Sequence, residues 1–196
     1  MGSRLTNGAT VLALAGRELL LACLDGDGRD ELLADRVNGL WVLYNNGPAR
    51  TSILTNSPTA LAAGDFDNNR KDEVAIGLGS SGIFVRANNM GNFTRVHTAL
   101  AQALATGDLD GNGRKELLAD LGSSGLYARY NNTGSFARLD TVNPAAILAI
   151  DLDRNGKADV ISDRGATGLF VRYNNAGAFI RRTTFTSQAL AAGGLD

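Results

Sequence analysis

The sequence predicts an all-β chain, a propeller of four-stranded antiparallel blades, on three observations. An acidic, glycine-bearing segment recurs as "CLDGDGRDELLAD" (23–35), "GDFDNNRKDEVAIG" (64–77), "GDLDGNGRKELLAD" (107–120) and "IDLDRNGKADVISD" (150–163). Its second aspartate falls at Asp25, Asp67, Asp110, Asp153 and Asp196, so the spacing is 42 residues once and then 43 three times, a constant period that marks a propeller or a solenoid. Between the segments lie short apolar runs rich in branched and aromatic residues, divided by tight polar turns, and no helical period appears.

The elements follow in chain order. The N-terminal strand 8–16 carries "GATVLAL", and copy one (about 17–58) opens with "RELLLACL". Copy two (59–101) shows all four strands: "TALAAGDF" runs into the acidic loop, "DEVAIGL" leaves it, "SSG" turns the chain, "GIFVRANN" is the third run and "FTRVHTAL" the fourth. Copies three (102–144) and four (145–187) repeat this, and 188–196 begins a fifth. Strands apolar on both faces, such as "GIFVRA" and "ELLAD", need cover on both sides, which neighbouring blades supply. A β-solenoid is the alternative, but its coils are usually shorter than this period. The expectation is one domain over 1–196 with about five blades, or part of a larger propeller completed by another chain. Incomplete ends expose a strand edge or an apolar blade flank, so a homo-oligomer is expected, with "GATVLAL" and "SQALAAGGL" at the contact.

Composition excludes several classes. A chain of 196 residues buries about 70% of the surface it exposes when unfolded, so it needs no metal merely to make a core. With 24 Gly, 3 Pro and 44% apolar residues it is globular and turn-rich, and no apolar window is long enough to insert into a membrane. The net charge is −1, the lysines Lys71, Lys115 and Lys157 all lie in acidic loops, and the arginines form no dense run, which leaves nucleic acid no electrostatic foothold. Cys23 is the only cysteine and His97 the only histidine, so no triad or thiol pair can be built and no enzyme is expected. His97 is read as a solvated or packed strand residue, and Cys23 as a small apolar one. The opening "MGSRLTNG" lacks the apolar core of a secretion signal.

The acidic loop has the spacing of a calcium site. Counting from its first acid, copy four places Asp151, Asp153, Asn155 and Asp159 at positions 1, 3, 5 and 9, with Gly156 at the bend and the carbonyl of Lys157 at position 7. Hard oxygens in that number and alternation suit Ca2+. Copy three supplies Asp108, Asp110, Asn112, Glu116 and the carbonyl of Arg114; copy two supplies Asp65, Asp67, Asn69, Glu73 and the carbonyl of Lys71, with Arg70 where the bend glycine belongs, so its site is expected to be less regular. Copy one has Cys23 at position 1, which leaves Asp25, Asp27 and Glu31 as a weak site. Asn-Gly and Asp-Gly also make plain hairpin turns, but a turn alone does not explain three converging carboxylates, which repel one another without a cation.

The third strand begins with Gly, a hydrophobic residue and an aromatic, and runs into an Asn-Asn turn, as in "GLYARYNNTGSF" (125–136) and "GLFVRYNNAGAF" (168–179). Together with the acidic hairpin this motif resembles the FG-GAP and VCBS families of calcium-binding β-propeller repeats over about 17–196, and more narrowly is similar to fungal lectins of that propeller type, whose repeats also place NN-x-G-x-F after this strand. The resemblance implies a non-catalytic binding module, glycans or cell-surface proteins as partners, and an extracellular or cell-surface location. The Asn-Asn pairs have two readings: asparagine tolerates the left-handed turn conformation, or the amides and adjacent aromatics present a repeated surface to a sugar. Trp41, Phe84, Tyr127 and Phe170 hold equivalent positions on the third strand, with Arg86, Arg129 and Arg172 two residues on from the last three. Trp41, Tyr127, Arg129, Phe170 and Arg172 are the candidate sugar contacts, and blade packing is the other role open to them. A structural or protein-interaction segment of a larger protein, natural or engineered, is the alternative to a carbohydrate-binding one.

Overall fold

Each copy folds into one antiparallel meander. In the computed structural model, which describes residues 18–185 and Leu190, blade 1 consists of β1 (Leu19–Ala22), β2 (Glu31–Arg36), β3 (Gly39–Leu43) and β4 (Arg50–Leu54). Blade 2 is β5 (Ala60–Gly64), β6 (Glu73–Gly77), β7 (Ile83–Arg86) and β8 (Thr94–His97); blade 3 is β9 (Ala103–Gly107), β10 (Glu116–Asp120), β11 (Leu126–Arg129) and β12 (Ala137–Asp140). Blade 4 is β13 (Ala146–Ile150), β14 (Asp159–Asp163), β15 (Leu169–Arg172) and the short β16 (Ile180–Arg181). In every sheet, strands adjacent in sequence pair with one another. This is the all-β, propeller-type architecture expected, with no α-helix among the described residues. The runs "GATVLAL" and "SQALAAGGL", and with them ring closure, lie outside the described residues apart from Leu190.

The apolar residues have no interior within a single sheet, so they make one between sheets. Three cores result: Leu20, Leu24, Leu33, Leu40 and Val42 of blade 1 meet Leu61, Val74 and Ile76 of blade 2. Ala75, Ile83 and Val85 of blade 2 meet Leu104, Leu117 and Ala119 of blade 3, and Leu109, Leu118 and Leu126 of blade 3 meet Ala158 and Val160 of blade 4. Burial follows from this stacking. β6 and β10, covered on both faces, are buried at every residue, whereas β2 alternates between buried and half-buried because only one of its faces meets a described blade.

Near the axis the inner strands β1, β5, β9 and β13 converge, and side chains must be small. This explains "ALAAG" and "ALATG": a Cβ on Gly107 would lie 2.6 Å from the Ala149 Cβ of the next blade. Neighbouring blades are also joined by backbone hydrogen bonds at the acidic loops, where the N–H groups of Asp72, Lys115 and Ala158 donate to the carbonyls of Cys23, Asp65 and Asp108 at 2.7, 2.8 and 2.6 Å.

The glycine that opens the third strand has a different cause. Gly39, Gly82, Gly125 and Gly168 have φ of +121, +103, +100 and +99°, and a Cβ on any of them would lie between 1.9 and 2.1 Å from a carbonyl oxygen on the facing fourth-strand segment. Just beyond the first three, the pairing of third and fourth strands slips, between Leu40 and Trp41, Ile83 and Phe84, and Leu126 and Tyr127. Glycine is needed there because only a residue without a side chain accepts both the backbone angle and the close approach.

Candidate metal centres

Local backbone chemistry builds each acidic loop. In loop 3 the Asp108 carboxylate accepts N–H bonds from Gly111, Asn112 and Gly113 at 2.7, 3.1 and 2.8 Å, so the first acid ties the loop around itself. Loops 2 and 4 repeat the pattern, with Asn69 and Arg70 donating to Asp65, and Asn155 and Gly156 to Asp151. The last acid of each loop is the first residue of the following strand and points inward. Glu73, Glu116 and Asp159 are 0% exposed. Each binds two N–H groups: one from position 2 of its loop (Phe66, Leu109 and Leu152) and one from the following Asn-Asn turn (Asn88, Asn131 and Asn174).

The result is a tight acidic cluster in each loop. Ligand oxygens of Asp65, Asp67 and Glu73 lie within 4.8 Å of one another, as do those of Asp108, Asp110 and Glu116, and of Asp151, Asp153 and Asp159. Like charges at this separation oppose full ionisation, and burial adds to the effect. Burial pushes the Glu73 carboxyl up to about 7, with Asp67 and Asp65 adding to the rise, and burial raises Glu116 as well. A divalent cation in the cluster would reverse both influences.

The position-5 asparagines have their oxygens engaged inside the loop. The Oδ1 of Asn69, Asn112 and Asn155 accepts the N–H of Lys71, Arg114 and Lys157, each at 2.8 Å, and the Nδ2 of each donates to the first asparagine of the turn, Asn88, Asn131 or Asn174. Those turn asparagines, with Asn45 in blade 1, have φ between +49 and +53°. The turn reading of the Asn-Asn pairs therefore accounts for their conformation, and their contact with the acidic loop is a role the sequence did not reveal.

Arg70 stands in loop 2 with φ +69°, yet its loop keeps the N–H bonds from positions 5 and 6 to the first acid and the same cluster as loops 3 and 4. The expected irregularity appears as local backbone strain. Arg70→Gly should therefore stabilise the protein by about 1 kcal/mol, less the entropy glycine adds to the unfolded chain. Urea midpoints of the two proteins compared at unchanged slope would show this, and a destabilised variant would refute the strain.

Loop 1 departs from the sequence expectation. The atoms it brings within 4.8 Å of one another belong to Cys23, Asp25 and Asp27, so the thiol stands in the cluster and is only half-buried instead of packing as a small apolar group. Glu31 is buried, and its Oε2 accepts the Leu24 N–H at 2.8 Å.

The candidate sugar contacts and Phe84, their equivalent in blade 2, do not share one environment. Phe84 packs into the core between blades 1 and 2, and Tyr127 into that between blades 2 and 3. Trp41, flanked by Leu40 and Val42 that face blade 2, lies on the opposite face of its sheet, and its Nε1 is buried without a hydrogen-bond partner. Phe170 is half-buried beneath the Arg164 guanidinium, 4.0 Å from the ring centre. Arg129 holds its own hairpin, donating from Nε to the Gly134 carbonyl at 3.3 Å and from its guanidinium to Asn132, while the Nε of Arg172 is buried without a partner. His97 packs edge-on against Phe136 with ring centres 5.0 Å apart, and its Nδ1 accepts the Ala99 N–H.

The residues that single-position reasoning missed are the phenylalanines ending NN-x-G-x-F. Phe93 packs on the core between blades 1 and 2, Phe136 on that between blades 2 and 3, and Phe179 on that between blades 3 and 4, so each clasps its blade to the preceding one. Where Gly91, Asn92 and Phe93 approach residues 52–55 of β4 and its exit, they line an open groove of about 310 Å³.

No protein-family model matches the sequence, and no curated protein matches it. Among solved structures the chain is similar to a lectin from Agrocybe aegerita, described for its specific recognition of non-reducing terminal N-acetylglucosamine, with a TM-score of 0.57 at 18% identity. The match covers 90% of this chain and 54% of the lectin, so the chain spans about half that protein's length. At this identity the likeness is one of architecture, and with the four sheets it makes this chain a propeller of lectin-like fold.

Proposed function

We propose that the chain is a calcium-stabilised, non-catalytic propeller that binds carbohydrate. The observation that carries the metal half is the convergence of three carboxylates in loops 2, 3 and 4, each with one buried acid and two near the surface. Hard oxygen ligands in flexible loops match calcium, and the turn asparagines packed on the loops would transmit its order to the hairpins around them. Affinities of the extracellular class, near ~10⁻⁴ M, would accompany an extracellular or cell-surface location, as the resemblance to FG-GAP and VCBS repeats implies.

The carbohydrate half rests on the lectin-like fold and on the groove at Gly91–Phe93, where the NN-x-G-x-F motif meets the outer strand of the preceding blade. An aromatic edge beside amide and backbone polar groups suits a sugar ring, and the N-acetylglucosamine recognised by the Agrocybe aegerita lectin makes an N-acetylated glycan terminus the first ligand to try. Since the motif recurs, binding should be weak per site and stronger on a surface dense in glycans.

Calcium is tested by melting temperature. Tenfold excess over the dissociation constant adds about 1.4 kcal/mol per filled loop, and three filled loops together raise the melting temperature on the order of 10 °C. Asp110→Ala and Asp153→Ala, which alter exposed acids, should each remove part of the rise. Identical melting in calcium and in chelator would refute the metal reading. Isothermal titration with N-acetylglucosamine, beside a dense glycan surface, tests the sugar; silence in both formats would leave a structural or protein-interaction propeller.

A further inference from the structure

Loop 1 differs from its three counterparts at both ends of the ligand set, and the two differences are independent. At position 1 the Cys23 sulfur replaces a carboxylate and stands at the place from which Asp108, its counterpart in loop 3, accepts the N–H groups of Gly111 and Gly113. The thiol thus occupies the place of the first ligand, and its sulfur lies within 4.8 Å of ligand oxygens from Asp25 and Asp27.

At position 9 the buried acid is left half-satisfied. Glu73, Glu116 and Asp159 each use their second oxygen to accept an N–H from the Asn-Asn turn. The corresponding atom of Glu31, Oε1, has no hydrogen-bond partner, although the residue is 0% exposed. It closes the same loop but stands outside the converging group of Cys23, Asp25 and Asp27; the charges of Asp25 and Asp27 act on it, and its Oε2 is held by the Leu24 N–H. A buried carboxylate oxygen without a partner is unfavourable unless a cation or donor reaches it. Asp72 of the next blade adds a further negative charge at the rim, its carboxylate accepting the Cys23 N–H at 2.8 Å.

We propose that loop 1 is a mixed sulfur and oxygen metal site, formed by the converging atoms of Cys23, Asp25 and Asp27 and completed on binding by the unpartnered Oε1 of Glu31, which takes a thiophilic divalent cation of the zinc and cadmium class in preference to calcium. Calcium takes six to eight oxygens, and loop 1 replaces one of them with sulfur, whereas zinc and cadmium accept a thiolate beside carboxylates in a set of four. On binding, the sulfur–metal bond forms as the thiol proton leaves to solvent, with no change of oxidation state. This site stands or falls separately from calcium in loops 2–4 and from any sugar.

The test uses the full chain, stripped with chelator and returned to saturating calcium, then titrated with cadmium while the ultraviolet thiolate-to-cadmium charge-transfer band is followed. Cys23 is the only cysteine, so the band reports this loop alone. The expected result is a band saturating at one equivalent, competed away by zinc and not by calcium. Asp25→Asn and Glu31→Gln, which leave the thiol in place, should each weaken cadmium binding about tenfold or more. Cys23→Asp should abolish the band and add one calcium equivalent. A band that fails to saturate at one equivalent, that calcium displaces, or that is indifferent to Asp25→Asn would overturn the site. Asp25 is exposed, so that variant still decides the matter if Glu31→Gln does not fold.

Discussion

Gly125→Val is expected to unfold the protein or to remove about 4 kcal/mol of stability or more, a large part of the roughly 5–15 kcal/mol that holds a domain together. Two effects combine. The residue has φ +100°, which side-chain-bearing residues avoid, and its new Cβ would stand 2.1 Å from the Asp140 carbonyl oxygen on β12. Backbone cannot yield as a side-chain tip can, so the outer strand must detach. Gly134→Ala is the control: its φ is +70°, but nothing lies within 4 Å of the added Cβ, and only the left-handed backbone term of about 1 kcal/mol remains. Denaturant midpoints would separate the two, and equal losses would show that the close approach is unimportant.

Glu116→Ala should remove about 3 kcal/mol even without metal, and about 10 °C of melting temperature in a domain of this size. The carboxylate is 0% exposed and accepts the N–H groups of Leu109 and Asn131 at 2.8 and 3.3 Å, so truncation strands two donors and opens a cavity. Glu116→Gln keeps one amide oxygen for these donors. It should melt closer to the parent in chelator, yet lose part of the rise produced by calcium. This pair separates the acid's role in packing from its role as a ligand. If Ala and Gln lower stability equally in chelator, the buried hydrogen bonds are not what Glu116 supplies.

Much of this was legible because a repeat multiplies weak local signals. One acidic hairpin is an ordinary turn; four at a fixed period state both the blade and its loop. Asp110 and Glu116 could be placed in one cluster from spacing, since the loop between them is short and closes on itself through the N–H groups of Gly111, Asn112 and Gly113. Roles that depend on a neighbouring blade were not legible. Nothing in the order of residues says that Phe136 packs against His97, or that Trp41 lies on the face of its sheet opposite the core shared with blade 2.

The sequence by itself determined the period, the four strands of each blade, the turns and the acids that meet within each loop, because all of these arise from residues within one repeat. Tertiary structure alone decided which side of each sheet is core, why the inner strands are alanine and glycine, and which polar atoms remain without partners. Glu31 shows the difference. Its position in the repeat matches Glu73, Glu116 and Asp159, yet only the folded loop reveals that its Oε1 lacks the N–H its counterparts receive and that the Cys23 sulfur stands among the carboxylates. Those facts depend on ångström-scale distances between groups brought together by packing, and periodicity along the chain does not encode distances.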